Sequence, residues 1–115
     1  MKTVAEHEWK RFLTFYGKMF AGQSTRLGVF QNENGTMIDY WIEDGLPLIG
    51  IDMGTDNGQP KIEIMAGDLT HLITGVKKLT AYFPFDGSEN GLDIVDIDGK
   101  ITILRFEDDK TARRP

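Results

Sequence analysis

The sequence predicts an α+β domain in which an N-terminal helix packs on a curled antiparallel sheet, or a small barrel, of about six to seven strands. Apolar residues recur with helical spacing only near the N-terminus, whereas the chain after Gln23 alternates in the manner of strands. Two tight-turn dipeptides, Asn34-Gly35 and Asp98-Gly99, join such strands into hairpins. A chain of 115 residues can bury a real core within one domain. We expect that domain to span residues 1–109, with a basic tail at residues 110–115.

One helix is predicted at about residues 4–20, because apolar residues there form a single stripe at helical spacing. The stripe comprises Ala5, Trp9, Phe12, Leu13, Tyr16, Met19 and Phe20. Thr3 and Glu6 have the spacing of a capping box at its start, and Gly22 is expected to end it. Gly17 weakens the last turn, because glycine is a poor helix former. The stripe needs an apolar surface to cover, so we expect Trp9 to lie in the core.

The first hairpin is predicted to turn at Asn34-Gly35 with a two-residue loop. Counting outward from that loop places mostly apolar residues on one face of the hairpin and an opposite-charge pair on the other. The expected partners are Leu27 with Ile42, Val29 with Tyr40, Gln31 with Ile38 and, on the second face, Arg26 with Glu43.

The rest of the sheet is predicted from alternation and from turn residues. Further strands are expected at residues 48–53, 61–65 and 79–85, with turns at residues 54–60 and 86–91. The turn at Asp98-Gly99 predicts a second hairpin. Its expected partners are Ile94 with Ile103 and Val95 with Thr102.

Three prolines bear on self-association. Pro47, Pro60 and Pro84 lie at the starts of the expected strands or within them. Proline has no backbone N–H to donate, so it suits the edge of a sheet and blocks pairing there. We therefore expect partly blunted edges, and a monomer or a weak homodimer.

Charge is distributed unevenly along the chain. Residues 1–26 carry five basic and two acidic side chains, whereas residues 27–109 carry sixteen acidic and five basic ones. So acidic a middle segment repels a phosphate backbone, and we expect no nucleic-acid partner. No apolar run approaches the roughly 20 residues of a membrane span, and the N-terminus lacks the apolar stretch of a secretion signal. We therefore expect a cytoplasmic protein that does not bind a membrane, with a solvated basic tail.

Residues that could hold a metal or a cofactor are few. The chain has no cysteine and two histidines, which excludes thiolate sites and a three-histidine zinc site. Residues 86–91 begin like a calcium loop, but Ile97 stands where such a loop needs a bidentate glutamate. The glycines form neither a phosphate-binding loop nor a dinucleotide fingerprint. We therefore expect no metal and no cofactor.

Four residues are candidates for contact with a ligand or partner: Trp41, His71, Asp68 and Asp52. Asp68 is close enough in sequence to orient His71, as a general base requires, although the segment favours a structural or turn-capping histidine. Acidic neighbours flank Trp41 on its strand face, so an interface suits this residue as well as the core does.

Two functions remain open, and the sequence does not decide whether the protein is an enzyme. The leading hypothesis is a non-enzymatic binding or protein-interaction module, because no complete catalytic set is present. An acidic inhibitor or immunity-type role is one form of it. The alternative is a small-molecule-binding domain or hydrolase with a site near His71, with Asp52 at its rim. Its pocket would be lined by aromatic residues such as Tyr40, Tyr82 and Phe83.

Short motifs also occur in a recognisable order over about residues 8–106. They are Glu8-Trp9 with Phe12, Leu46-Pro47-Leu48 with Gly50-Ile51 and Asp52, Ile62 and Ile64, Thr70-His71 with Ile73, and Leu104-Arg105-Phe106. This order resembles a small bacterial family described only as a domain of unknown function. The resemblance implies one compact bacterial domain and brings no known activity.

Overall fold

The computed structural model describes residues 2–83 and 90–107, apart from three side chains, those of Glu33, Asp39 and Tyr40. The turn expected at residues 86–91 lies largely outside these ranges, and the basic tail lies wholly outside them. Within them the α+β class is confirmed, because one N-terminal α-helix accompanies an antiparallel sheet.

Eight strands and one α-helix make up the described chain. The strands are β1 (Lys2–Thr3), β2 (Ser24–Glu33), β3 (Thr36–Asp56), β4 (Gln59–Ala66), β5 (Leu69–Thr74), β6 (Val76–Tyr82), β7 (Gly91–Asp96) and β8 (Ile101–Phe106). The helix α1 (Trp9–Met19) follows a 3-10 turn at Glu6–Glu8. All strand pairs are antiparallel, and the order across the sheet is β1-β6-β7-β8-β2-β3-β4-β5.

The sheet differs from the prediction in strand number and in closure. It has eight described strands instead of six to seven, and β1 and β5 are its edges, so the curled sheet is open and does not close into a barrel. Two strands account for the extra number. β1 has only two residues, and β5 is separated from β4 by Gly67-Asp68 and from β6 by Gly75 alone.

β3 is 21 residues long and changes its partner halfway. Its residues 36–47 pair with β2, and its residues 48–56 pair with β4. The sheet therefore has a large half (β1, β6, β7, β8, β2 and the start of β3) and a small half (the end of β3, β4 and β5). Gly75 joins β5 to β6 with a φ of 67°, and its carbonyl accepts a hydrogen bond from the Ile97 N–H at 2.9 Å. The inner faces of both halves contribute to one core.

The first hairpin keeps the predicted loop but only part of the predicted register. Near the loop the partners are as expected, Val29 with Tyr40 and Gln31 with Ile38. Farther away, two irregularities in the β2–β3 ladder shift the pairing, because a bulge inserts an extra residue on one strand. The partners there are Leu27 with Glu43 and Arg26 with Asp44, in place of the expected Ile42 and Glu43.

The second hairpin has a wider turn than predicted. The Asp96 carboxylate accepts hydrogen bonds from the backbone N–H groups of Asp98 at 2.9 Å and Lys100 at 3.0 Å. An aspartate that bonds the backbone ahead of it in this way stabilises a longer loop, and the ladder moves by one position. The observed partners are Ile94 with Thr102 and Val95 with Ile101.

The helix begins later than predicted and without a capping box. Thr3 belongs to β1, and neither Ala5 nor Glu8 makes a side-chain cap hydrogen bond at the helical N-termini. Past the helix, Gly22 adopts a φ of 89° and donates its N–H to the Leu48 carbonyl at 2.8 Å. This bond joins the segment between α1 and β2 to the middle of β3.

Gly17 does not end the helix, which continues to Met19. A Cβ at Gly17 would lie 3.0 Å from the backbone nitrogen of Ile51 in β3, so glycine permits a close approach of the helix to the small half-sheet. Two residues of the predicted stripe, Ala5 and Met19, are exposed, and the buried face is correspondingly narrower.

The buried face of α1 supplies the centre of the core. Trp9 is 2% exposed, which confirms the prediction, and its indole N–H donates to the Val4 carbonyl at 2.8 Å. The Tyr16 hydroxyl donates to the Gly91 carbonyl at 3.0 Å and lies 3.2 Å from the Tyr82 carbonyl. The helix is thus fixed to the ends of β6 and β7.

Candidate functional site

The four contact residues predicted from the sequence lie apart from one another. In the small half-sheet, His71 belongs to the inward-facing row of paired residues and Asp52 belongs to the outward-facing row. Successive side chains of a strand point to opposite faces, so these two residues do not share a site. Asp68 is exposed in the turn between β4 and β5, and Trp41 lies on the part of β3 that belongs to the large half-sheet.

His71 is half-buried beside the core. Burial lowers the pKa of His71, and the positive charge of Lys100 lowers it further. Within residues 2–83 and 90–107, no hydrogen bond or ion pair joins His71 to Asp68. The charged neighbour of the imidazole is therefore a cation, whereas a general base oriented by a carboxylate would have an anion beside it.

Asp52 is exposed at the rim of a depression of about 210 Å³ between α1 and β3, beside Gly17 and Ile49. A second depression, of about 610 Å³, lies on the outer side of α1, where Phe15 is surrounded by Lys10, Arg11 and Lys18. The described part of the chain contains no group of three or more metal-ligating side chains. No helix among those residues is long and apolar enough to cross a membrane.

Trp41 lies on the outer face of the large half-sheet and is 42% exposed. It pairs with Gly28, where a Cβ would come within 2.7 Å of the indole Cε3, so only glycine lets the ring lie against the β2 backbone. The Arg26 guanidinium carbon lies 4.3 Å from the ring centroid. Phe30 approaches the indole edge-on at 6.1 Å. The indole is thereby held in one orientation at the surface.

A second cluster of similar composition lies on the same face, across β6, β7 and β8. Arg105 forms an ion pair with Asp93 at 2.9 Å, and its guanidinium carbon lies 4.8 Å from the centroid of the Tyr82 ring. The Tyr82 hydroxyl donates to the second oxygen of Asp93 at 2.8 Å. Burial, followed by the Asp93 carboxylate, raises the pKa of Tyr82. Gly91 leaves room for the arginine, because a Cβ there would lie 2.9 Å from Arg105 Cδ.

The two clusters meet at a pair of arginines, because Arg26 of β2 lies directly opposite Arg105 of β8. Like charges in this position repel, and each arginine has an acidic residue on its far side, Asp44 for Arg26 and Asp93 for Arg105. The charges on β3, β2, β8 and β7 are therefore negative, positive, positive and negative in that order, with Asp93 diagonal to Arg105 because Gly91 lies directly opposite it. We call this surface the aromatic–arginine face, formed by Arg26, Phe30, Trp41, Asp44, Tyr82, Asp93, Ile103 and Arg105.

Arg26 is held less tightly than Arg105. Its Nε lies 3.7 Å from Asp44, beyond hydrogen-bond distance, and this nitrogen is buried without a hydrogen-bond partner. The Arg26 side chain is 42% exposed, whereas that of Arg105 is 19% exposed and also donates to two backbone carbonyls. Arg26 is thus the more accessible of the two arginines at the centre of the face.

Reasoning from the sequence found Trp41 on this face but missed most of its neighbours. Arg26 was expected to pair with Glu43, and Tyr82 was expected only as a pocket wall. The pairing of β2 with β8 joins residues about eighty positions apart in the chain, so no local pattern shows that Arg26 and Arg105 are neighbours. The usable signal was the period of two along β8, which places Ile101, Ile103 and Arg105 on one face.

Comparisons with known proteins bear on the fold alone. No protein-family model matches the chain, and no curated protein matches it in sequence. Among solved structures, the crystal structure of the Bacillus subtilis YojF protein is similar, with a TM-score of 0.56 and 10% sequence identity over 92% of each chain. At that identity the likeness shows a shared fold and carries no function. The resemblance to the bacterial family of unknown function stays a prediction.

Proposed function

We propose that this protein is a cytoplasmic, non-enzymatic protein-interaction module that contacts its partner through the aromatic–arginine face. The observation that carries the proposal is Trp41, a large aromatic side chain that is 42% exposed yet held in place by Gly28 and Arg26. Tryptophan, tyrosine and arginine dominate the binding energy of protein interfaces, and this face presents all three.

Preorganisation supports the same conclusion. A side chain that is already fixed before binding loses less conformational entropy when a partner orders it. Trp41 is fixed by its contacts with Gly28, Arg26 and Phe30, and Tyr82 is fixed by its bond to Asp93. The face is therefore rigid without being fully covered.

The charge pattern indicates what the partner presents. The two central arginines carry positive charge on a chain whose residues 27–109 are strongly acidic, and the Arg26 side chain is 42% exposed. Asp44 and Asp93 flank this centre and disfavour a broad anionic surface such as a nucleic acid. The fitting partner is a protein segment that presents one carboxylate between apolar side chains, which then pack on Trp41 and Ile103.

The alternative function, a small-molecule site or hydrolase near His71, has less support. Its orienting carboxylate, Asp68, makes no bond to the imidazole, and Asp52 belongs to the opposite face of the small half-sheet. The interaction module requires no such assembly, because its contact residues are already neighbours.

The test begins with affinity capture of stoichiometric partners from extracts of the native cells, followed by calorimetric titration with the purified partner. Trp41→Ala should weaken binding at least about tenfold, as expected for an interface residue worth about 1.4 kcal/mol or more. Arg26→Gln should weaken it by a similar factor if it meets a carboxylate.

Phe15→Ala is the matched control, because Phe15 is a 57% exposed aromatic residue on the opposite side of the molecule. It should leave the affinity unchanged. Recovery of no stoichiometric partner would count against a module of any kind. A partner that responds to Phe15→Ala and not to Trp41→Ala would move the interface to the helix and overturn the assignment of the face.

A further inference from the structure

The two edges of the sheet are protected to very different degrees. β1 has two residues, one of which is Lys2, and a short edge with a lysine resists pairing with another chain. β5 has six residues, and its only ladder partner among the described strands is β4. On the side away from β4, the N–H and C=O groups of residues 69–74 make no backbone hydrogen bond with another described residue.

β5 also lacks the features with which proteins usually block an edge. Its sequence, Leu-Thr-His-Leu-Ile-Thr, contains no proline, lysine or acidic residue, and its pairing with β4 has no bulge. The prolines do not fill this role at β5. Pro47 pairs only with β2 and Pro60 only with β3, and neither lies opposite a residue of β5. Pro84 lies outside the described residues.

We propose that two copies of this chain associate through β5, edge to edge and antiparallel, to form one continuous sheet about a two-fold axis. The inference does not rest on the proposed function, because β5 and the aromatic–arginine face belong to different halves of the sheet. A two-fold axis perpendicular to the sheet pairs residues whose side chains lie on the same face of the sheet. The outer face of one copy is therefore continuous with the outer face of the other.

The exposed leucine of the strand sets the register. Leu72 is 49% exposed on the outer face, and placing it on the axis buries it against the partner's Leu72. Thr70 of each copy then faces Thr74 of the other, and His71 faces Ile73. Uncharged residues thus meet along the whole strand, without the like-charge repulsion that opposes self-pairing of charged edges.

Charges at the two ends of β5 favour a second copy over an unrelated strand. Asp68 precedes the strand. At its other end Lys61 pairs with Thr74, and Lys77 lies three residues beyond Thr74. In an antiparallel pair the start of one strand lies beside the end of the other. The acidic end of each copy therefore lies near the basic end of its partner.

The test is sedimentation velocity of the full chain from about 1 μM to about 1 mM, the range in which a contact of this small size is expected to associate. The wild-type protein should pass from monomer to dimer with rising concentration. Leu72→Lys places two ammonium groups at the axis and should weaken the dimer at least about tenfold. Phe15→Lys is the matched control, since Phe15 is 57% exposed on the outer side of α1 and away from β5, and it should behave as wild type.

A charge-exchange experiment makes the test specific. Leu72→Lys and Leu72→Glu should each be monomeric alone, and an equimolar mixture of the two should form a heterodimer. Hydrogen exchange on the wild-type chain gives an independent reading, because the β5 amides should become more protected as concentration rises. A wild-type monomer at every concentration, or a dimer that Leu72→Lys leaves intact, would overturn the proposal.

Discussion

Trp9 and Trp41 lie on opposite sides of the large half-sheet, and each is accompanied by a tyrosine whose hydroxyl makes a hydrogen bond. On the inner side, Trp9 and Tyr16 donate to backbone carbonyls. On the outer side, Trp41 lies beneath an arginine and Tyr82 donates to a carboxylate. A backbone carbonyl can be buried at little cost when a tryptophan N–H or a tyrosine hydroxyl donates a hydrogen bond to it. Charged side chains lose much more free energy on leaving water, so the aromatic rings that contact them stay near the surface. The same residue types therefore form a core on one side and a surface on the other.

The energetic consequence is a division of roles between the two sides. Burial of large aromatic side chains is a principal source of stability, and the inner cluster is almost fully buried. An exposed contact between arginine and an aromatic ring contributes only about 0.5–1 kcal/mol. The outer cluster therefore adds little to folding and leaves its apolar area available to a partner.

The largest expected effect compares the two tryptophans. Trp9→Ala should lower the free energy of unfolding by about 3–5 kcal/mol, because it deletes a fully buried aromatic side chain and leaves the Val4 carbonyl without its donor. Trp41→Ala should cost clearly less, since the indole is already 42% exposed. Guanidinium chloride melts of the two variants measure both values. A larger loss for Trp41→Ala would mean that the outer face contributes to the core.

A smaller effect compares the two tyrosines. Tyr16→Phe removes the bond to the Gly91 carbonyl and should cost about 1–2 kcal/mol, because a buried acceptor is left unsatisfied. Tyr82→Phe removes a bond to Asp93, which keeps its ion pair with Arg105 and its access to water, so we expect a loss below about 1 kcal/mol. The same melts provide the measurement. Equal losses of free energy of unfolding would show that the hydrogen bonds of the two tyrosine hydroxyl groups contribute equally, whether they lie on the inner or the outer side.

Local patterns predicted the parts of the fold that depend on neighbouring residues. The helix stripe placed Trp9 in the core, and Asn34-Gly35 fixed the first hairpin near its loop. The errors arose where a single side chain or backbone irregularity outweighs the pattern. The Asp96 carboxylate widens the second turn, and bulges shift the partner of Arg26 from Glu43 to Asp44. The alternation of apolar and polar residues predicts neither the wider turn nor the bulges.

The candidate site was less predictable, because it is assembled from strands that are distant in sequence. Trp41 and Gly28 belong to one hairpin, but Arg105 joins them only through the pairing of β2 with β8. The proximity of His71 and Asp68 in sequence suggested a functional pair that the strand geometry does not form. Residues that are close in sequence can therefore lie apart in the sheet, and residues that are far apart in sequence can be neighbours.

The smallest expected effect concerns His71, which lies where the inner face meets solvent, and it follows from the direction of the pKa shift. Burial and Lys100 lower the pKa of His71 below its ordinary value of about 6.5. Between the lowered folded pKa and about 6.5, the unfolded chain binds more protons than the folded one, so stability rises with pH in that window. The contribution of His71 is therefore present above about pH 6.5 and is lost as pH falls through the folded pKa.

His71→Gln removes this component without charging the site. The wild-type free energy of unfolding should therefore fall more steeply than that of His71→Gln when the pH is lowered from about 7.5 to about 5. Denaturant melts at a series of pH values measure the difference, and His7→Gln is the matched control because the His7 side chain is 82% exposed. If the two free energies of unfolding instead fell in parallel, the pKa of His71 would be the same in the folded and unfolded chains. Water would then screen the imidazole from Lys100. The His71 side chain would then be solvated in the folded protein, and Ile73 would be the last residue on this face of β5 that belongs to the core.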